Sequence, residues 1–520
     1  MFWKTKLITN MLAVMAFLKI VDSKPLGEHL HGSDKWTPPD GRSRDEYMAT
    51  MGLSQQEWNT IQTINKEINE IIKTQHISPS QNNELDLSEF ISADDYQGNE
   101  PFQTLYQADE GENGDVYFGD VILNAEQASV ILTSLKNRSK RDTMNFLTYP
   151  SYKWTGVIPY KIIGENYTDL ERTMIYRAFQ HWESHTCLRF QERPINDIVG
   201  APHLLIENPA NSATCNSFFG RQDTVDGQVI NLGSTCFGSD GTPVHEIGHA
   251  LGMYHEHQRP DRDDYINVYE DQIRPSGLRN FIKYEYTDAV THVPYDYGSV
   301  MHYHAKAFWI EIMPSIIPKD GSYLSTIGQR TGLSFFDAMA VNIEYCSETC
   351  PGPLPQPCSN GGYQDPNNCD LCKCPDGLSG DTCGDIQPSN VVDAGGVVSL
   401  DETTPSYITS HPTYSDASSY YENYQEINWE VMVPTGCQIE FEFVEDFRMT
   451  CLNFQTCAHW VELKLDQSQY DKTGQSKLSY NNLNYYNDCN CCSNNCGCNN
   501  DYNDNYQSNN GSPNNSRDDH

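Results

Sequence analysis

Apolar and polar positions change rhythm several times along the chain. Lys4 and Lys6 precede an apolar run over residues 7–18, and this order predicts a secretory leader over residues 1–23. Lys19 and the short length argue against a membrane span, and no later stretch reaches the roughly 18 apolar residues that one needs. Residues 24–141 are polar. Within them Trp58, Ile61, Ile64, Ile68, Ile71 and Ile72 recur at helical spacing and predict one amphipathic helix. The block 142–346 opens with the strand-like "GVIPYKI". Leu170, Met174, Ala178, Phe179 and Trp182 then predict a helix starting near Asp169, and "HLLIEN" and "QVINLG" predict two short strands. From residue 385 to 474, "INWEVMVP" and "QIEFEFVEDF" alternate as antiparallel strands with one buried face do. Residues 475–520 are rich in Asn and Asp without apolar periodicity, and the last 25 lack the apolar surface to offset chain entropy.

A chain of 520 residues exceeds what one core organises, so several modules are expected. A formal net charge of −37 sets nucleic acid and anionic membrane surfaces aside as partners. The 18 cysteines begin only at Cys187, and they suit the oxidising route that the leader predicts. Residues 350–383 carry six of them, spaced C-x7-C-x10-C-x2-C-x-C-x8-C, in a segment too short for a core and therefore dependent on disulfides. The polar N-terminal segment ends in "RSKR", residues 138–141.

The densest chemistry lies in "HEIGHALGMYHEHQRPDRD", residues 245–263. His245 and His249, four apart, share one helix face and can hold one metal ion, with Glu246 beside them to take a proton from water on the metal. A helix continuing past His249 would carry later residues away. Gly252, lacking a Cβ, can adopt positive φ, end the helix and return His255 to the same ion. Three imidazoles with a fourth position open favour a catalytic zinc over a closed structural one. Downstream, "YDYGSVMHY" supplies Met301 and Tyr303. His257 and His185 match no motif and receive no role.

Glu256 directly after the third histidine, "RPDRD" beyond it, and Tyr303 after Met301 make the block 142–346 resemble the astacin family of metzincins, through to "GQRTGLSFFDAMAVNIEYC". The resemblance implies an α+β protease domain, with a mixed twisted sheet, long helices and two subdomains flanking a zinc cleft. It implies Met301 as an apolar floor under the zinc. It implies Tyr303 as a ligand of the resting enzyme that swings to stabilise the oxyanion, and Glu256 as the contact of the mature N-terminus. It pairs Cys187 with Cys346 and Cys215 with Cys236. "YFGD", residues 117–120, resembles the family's F-x-G-D switch with Tyr117 in place of Phe, making Asp120 the zinc ligand of a latent proenzyme. Residues 138–141 match a proprotein-convertase site that would cut after Arg141 and separate a propeptide, 24–141. That cut leaves Asp142 first, a few residues longer than the usual family start. Residues 350–383 resemble an EGF-like module, implying the pairs Cys350 with Cys369, Cys358 with Cys372, and Cys374 with Cys383. Residues 385–474 resemble an incomplete CUB-like β-sandwich.

The expected function is a secreted extracellular zinc endopeptidase that acts on extended polypeptides lying along an edge strand. Matrix, cuticle and precursor proteins are all compatible substrates. The alternative is a catalytically vestigial binding protein that uses its EGF-like and CUB-like modules. Asn166 and Asn137 stand in glycan-acceptor triplets.

Overall fold

A computed structural model describes residues 117–129, 150–163, 167–208, 214–224, 226–284, 292–310, 314–324 and 326–400. Shorter described stretches lie at 2–8, 14–20, 425–434, 438–444 and 459–464, with Ile408 and a few positions between 56 and 67. Among the described residues no helix is long and apolar enough to cross a membrane.

The principal sheet has seven strands in the order Tyr117–Phe118, Val121–Ile122, Cys215–Phe218, Gln228–Leu232, Leu204–Glu207, Ile158–Ile163 and Phe190–Glu192. Two of its pairings are antiparallel, Tyr117–Phe118 with Val121–Ile122 and Cys215–Phe218 with Gln228–Leu232; the others are parallel. Gln228–Leu232 is buried throughout, as a central strand covered on both faces should be. Ile158–Ile163 alternates buried and half-buried positions.

The helix Asp169–His185 begins at a capping box, in which Thr168 and Glu171 satisfy each other's backbone N–H groups. Met174, Ile175, Ala178, Phe179 and Trp182 form its inner face. Leu170, expected there too, is instead 64% exposed, because the helix's buried face begins only at Met174, one turn further on. Trp182 is fully buried and its indole donates to Val244 O at 3.0 Å; Trp154 donates to Ala250 O at 2.8 Å. Two tryptophans thus pin both ends of the helix Gly241–Ala250, which carries the histidine motif. Cys187–Cys346 joins the segment after the long helix to the last helix, Phe335–Cys346, and Cys215–Cys236 ties a sheet strand to the turn before the motif helix.

Residues 350–386 are built differently. Cys350–Cys369, Cys358–Cys372 and Cys374–Cys383 cross-link two small hairpins, Tyr363–Asp365 with Asn368–Lys373 and Leu378–Ser379 with Asp385–Ile386. The module rests on the larger block through Asn367, which accepts from Arg189 at 2.6 Å and donates to Glu183 O at 2.9 Å. Tyr363 adds a ring contact with Phe335 and accepts from Asn342 at 2.9 Å.

Further on, Gly396–Ser399, Glu426–Met432, Val14–Ile20 and His459–Lys464 form one sheet in that order, and Phe2–Ile8 pairs with Gln438–Val444. The run read as a leader here contributes two strands. Its apolar residues suit a strand as well as a leader, and the C-terminal strands offer open edges.

Candidate metal centre

The motif helix is buried along its whole length, and Val244, Ile247 and Ala250 anchor it in the main core. Gly252 has φ +93° immediately after the helix's C-cap, Leu251. Its N–H returns to His249 O at 2.9 Å and that of Met253 to Gly248 O at 3.0 Å, which closes the helix and reverses the chain. The next turn delivers His255. Glu256 N donates to Met301 O at 3.0 Å, locking this turn to the methionine segment, and Met301 Sδ lies 2.9 Å from where a Cβ on Gly248 would stand.

The three Nε2 atoms and Asp120 converge. His245 Nε2 lies 3.1 Å from His249 Nε2 and 3.0 Å from Asp120 Oδ2, while Asp120 Oδ1 lies 3.3 Å from His249 Nε2 and 2.8 Å from His255 Nε2. All four residues are buried, and their ligand-type atoms lie within 4.8 Å of one another. Each imidazole commits its other nitrogen elsewhere: Nδ1 of His245 donates to Val300 O (2.8 Å), that of His249 to Met253 O (2.8 Å), and that of His255 to Gln258 Oε1 (3.0 Å). Carbonyl oxygens only accept, so these bonds place the proton on Nδ1 and aim three Nε2 lone pairs at one point. Lone pairs and a carboxylate at such a point repel unless a cation lies between them. Tetrahedral zinc at about 2.0–2.1 Å from each ligand would separate ligands by about 3.4 Å, close to these spacings. The residues present fit a zinc ion.

Burial favours the same protonation states. It lowers His245 to about 3, reinforced by the Arg330 guanidinium and opposed by Asp120, and it lowers His249 as well. Burial also works against the Asp120 carboxylate, and only positive charge at His255 and His249, present when those rings are protonated, would hold Asp120 well below the usual carboxylate range.

Glu246 follows the first ligand and is wholly buried. Tyr303 is wholly buried too, its ring 4.6 Å from that of His255. Gly119, at φ +71°, precedes Asp120, and a Cβ there would fall 2.4 Å from the Tyr303 phenol oxygen. Only glycine lets this segment's backbone pass the phenol and deliver Asp120. Glu256 points away from the metal ligands: its Oε1 accepts from Asp296 N at 2.7 Å and from Arg259 at 3.1 Å. Burial raises its carboxyl to about 7 against the pull of Arg259. It lines a cavity of about 30 Å³ together with Arg259, His292, Asp296 and Asp337.

The sequence-predicted ligands, Glu246, Gly252, Met301 and Tyr303 thus gather at one place, with Glu256 in a neighbouring cavity. Arg141, Asn137, Asn166 and the Tyr117 side chain lie outside the described residues. Reading the motif overlooked Gln258, which orients the third ligand, and His257, whose ring stacks on Tyr303 at 4.0 Å and 21°. Their place in the turn right after His255 was the available signal.

Helix, glycine turn and buried histidine trio define a metallopeptidase-type centre. Residues 146–346 match the Astacin peptidase family. The chain is 31% identical over 440 residues to zinc metalloproteinase dpy-31 of Teladorsagia circumcincta, covering 83% of this chain and 68% of that one. It is 35% identical over 378 residues to zinc metalloproteinase dpy-31 of Caenorhabditis elegans, covering 71% of this chain and 61% of that one. The chain belongs to the astacin family. It spans 61% and 56% of the length of two such relatives, the C. elegans protein and zinc metalloproteinase nas-36 of Haemonchus contortus. High choriolytic enzyme 1, a hatching enzyme zinc-protease from Oryzias latipes, is similar at 30% identity and a TM-score of 0.35, over 39% of this chain and 98% of that one.

Proposed function

We propose that this protein is a secreted zinc endopeptidase, made latent and activated by removal of its N-terminal segment. The carrying observation is the convergence of three Nε2 atoms whose Nδ1 partners leave their lone pairs available to one metal ion. Zinc held by His245, His249 and His255 would supply a Lewis acid that polarises a peptide carbonyl and makes water more acidic. Glu246 accepts the proton of the attacking water and returns it to the leaving amine. Tyr303 donates its phenol hydrogen to the oxyanion. Latency is supported by Asp120 lying against all three imidazoles, and by Val121–Ile122 pairing with Cys215–Phe218, the edge an extended substrate would otherwise use.

A convertase cut after Arg141 frees the new N-terminus to approach Glu256. The charged-then-apolar N-terminus and the five disulfides support secretion, with the N-glycan acceptors Asn166 and Asn137 as its corollary. The cross-linked residues 350–383 act as an EGF-like module and residues 385–474 as a partial CUB-like one. The substrates are extended extracellular polypeptides.

The test is Glu246→Gln in the processed protein. It should retain one zinc per chain and lose about 10²–10⁴ of kcat on a peptide substrate. Cleavage at the wild-type rate would refute the reading.

A further inference from the structure

Asn280 stands on the short turn Leu278–Phe281 and is 2% exposed. Its backbone is fully engaged: N–H donates to Gly277 O at 2.9 Å, and the carbonyl accepts from His257 Nε2 at 2.9 Å. Its side-chain Oδ1 is buried without a hydrogen-bond partner among the described residues. Such an acceptor is costly in a folded protein, which marks it as a place where a partner is exchanged.

The neighbour across from it is Gly119. A Cβ there would lie 3.7 Å from Asn280 Cγ as well as 2.4 Å from the Tyr303 phenol, so amide and phenol flank the same point of backbone, one residue before Asp120. The geometry is braced. His257 stacks on Tyr303 while donating to Asn280, and Gln258 reaches Ile282 O at 3.2 Å and Tyr284 N at 2.8 Å while facing His255 Nδ1. The turn bearing Asn280 is therefore fixed relative to both the third ligand and Tyr303. Once the N-terminal segment leaves, the point it occupied passes to whatever polypeptide enters the cleft.

We propose that Asn280 is a substrate-binding residue: its carboxamide oxygen accepts a hydrogen bond from one backbone N–H of the polypeptide, at a residue flanking the scissile bond. An extended chain directs such an N–H sideways at every second residue, and a buried acceptor reads it whatever the side chain. This rests on the endopeptidase reading above.

The test uses processed protein and a peptide substrate made as a series, each member N-methylated at one backbone nitrogen near the scissile bond. Wild type should lose about tenfold in kcat/KM on one member beyond its loss on the others. Asn280→Ala should lose a similar factor on the unmodified peptide while holding its zinc, and should show no extra loss on that member. Asn280→Asp, which keeps an acceptor oxygen, should restore the wild-type pattern. Wild-type cleavage combined with an equal N-methyl penalty in Asn280→Ala, or with an unchanged rate in that variant, overturns the role of Asn280 alone. A wild-type protein that binds zinc and cleaves no peptide overturns the endopeptidase reading and this assignment with it.

Discussion

The block 150–346 and the module 350–386 fold by different means. In the block, Trp154, Ile158, Phe179, Trp182, Ile230 and Ile247 share one core, and two disulfides supplement it. In the module Leu378 packs against Cys374 and Ile386 in a small cluster, and three disulfides take the place of a larger core. The difference decides where chemistry can reside. Burying three imidazoles, a glutamate and a carboxylate requires walls thick enough to exclude water and carbonyls placed to satisfy each remaining nitrogen. Only the block has such an interior.

Three variants sharpen this contrast. Trp182→Ala removes a fully buried ring and its bond to Val244 O beneath the motif helix. It should cost about 4 kcal/mol and carry zinc binding and proteolysis away with it, as read by thermal melting and metal content. Replacing Cys358 and Cys372 together by Ala should cost about 3 kcal/mol, confined to the module. Limited proteolysis should then open residues 350–386 while zinc content and peptide cleavage hold; loss of both functions would merge the two regions into one unit. Thr168→Ala, which deletes the N-cap of the long helix, should cost only about 1 kcal/mol and leave kcat unchanged.

Much of the site was legible because metal binding constrains residue type and spacing together. His245, His249 and His255 had to be imidazoles, and Gly252 had to reverse the chain. The five disulfide pairs implied by resemblance are the pairs present in the structure. Other features depend on tertiary contacts that local pattern does not encode. Leu170 fits the helical stripe yet is exposed, since periodicity does not say at which turn a helix's buried face begins. Asn280 lies 25 residues beyond His255 and reaches the cleft only because His257 and Gln258 hold its turn. Ile64, in the N-terminal helical segment, is buried in one cluster with Val121, Phe219 and Tyr254, a long-range contact that its amphipathic spacing anticipates without naming the partner.

The central claim is that one zinc site exists and that Asp120 closes it. Its most direct test is Asp120→Ala in the uncleaved chain, measuring zinc per chain and cleavage of a peptide substrate before any cut at Arg141. The account predicts one zinc and measurable cleavage, where the wild-type uncleaved chain shows none. A variant as inert as the wild-type precursor, or one without zinc, would contradict it.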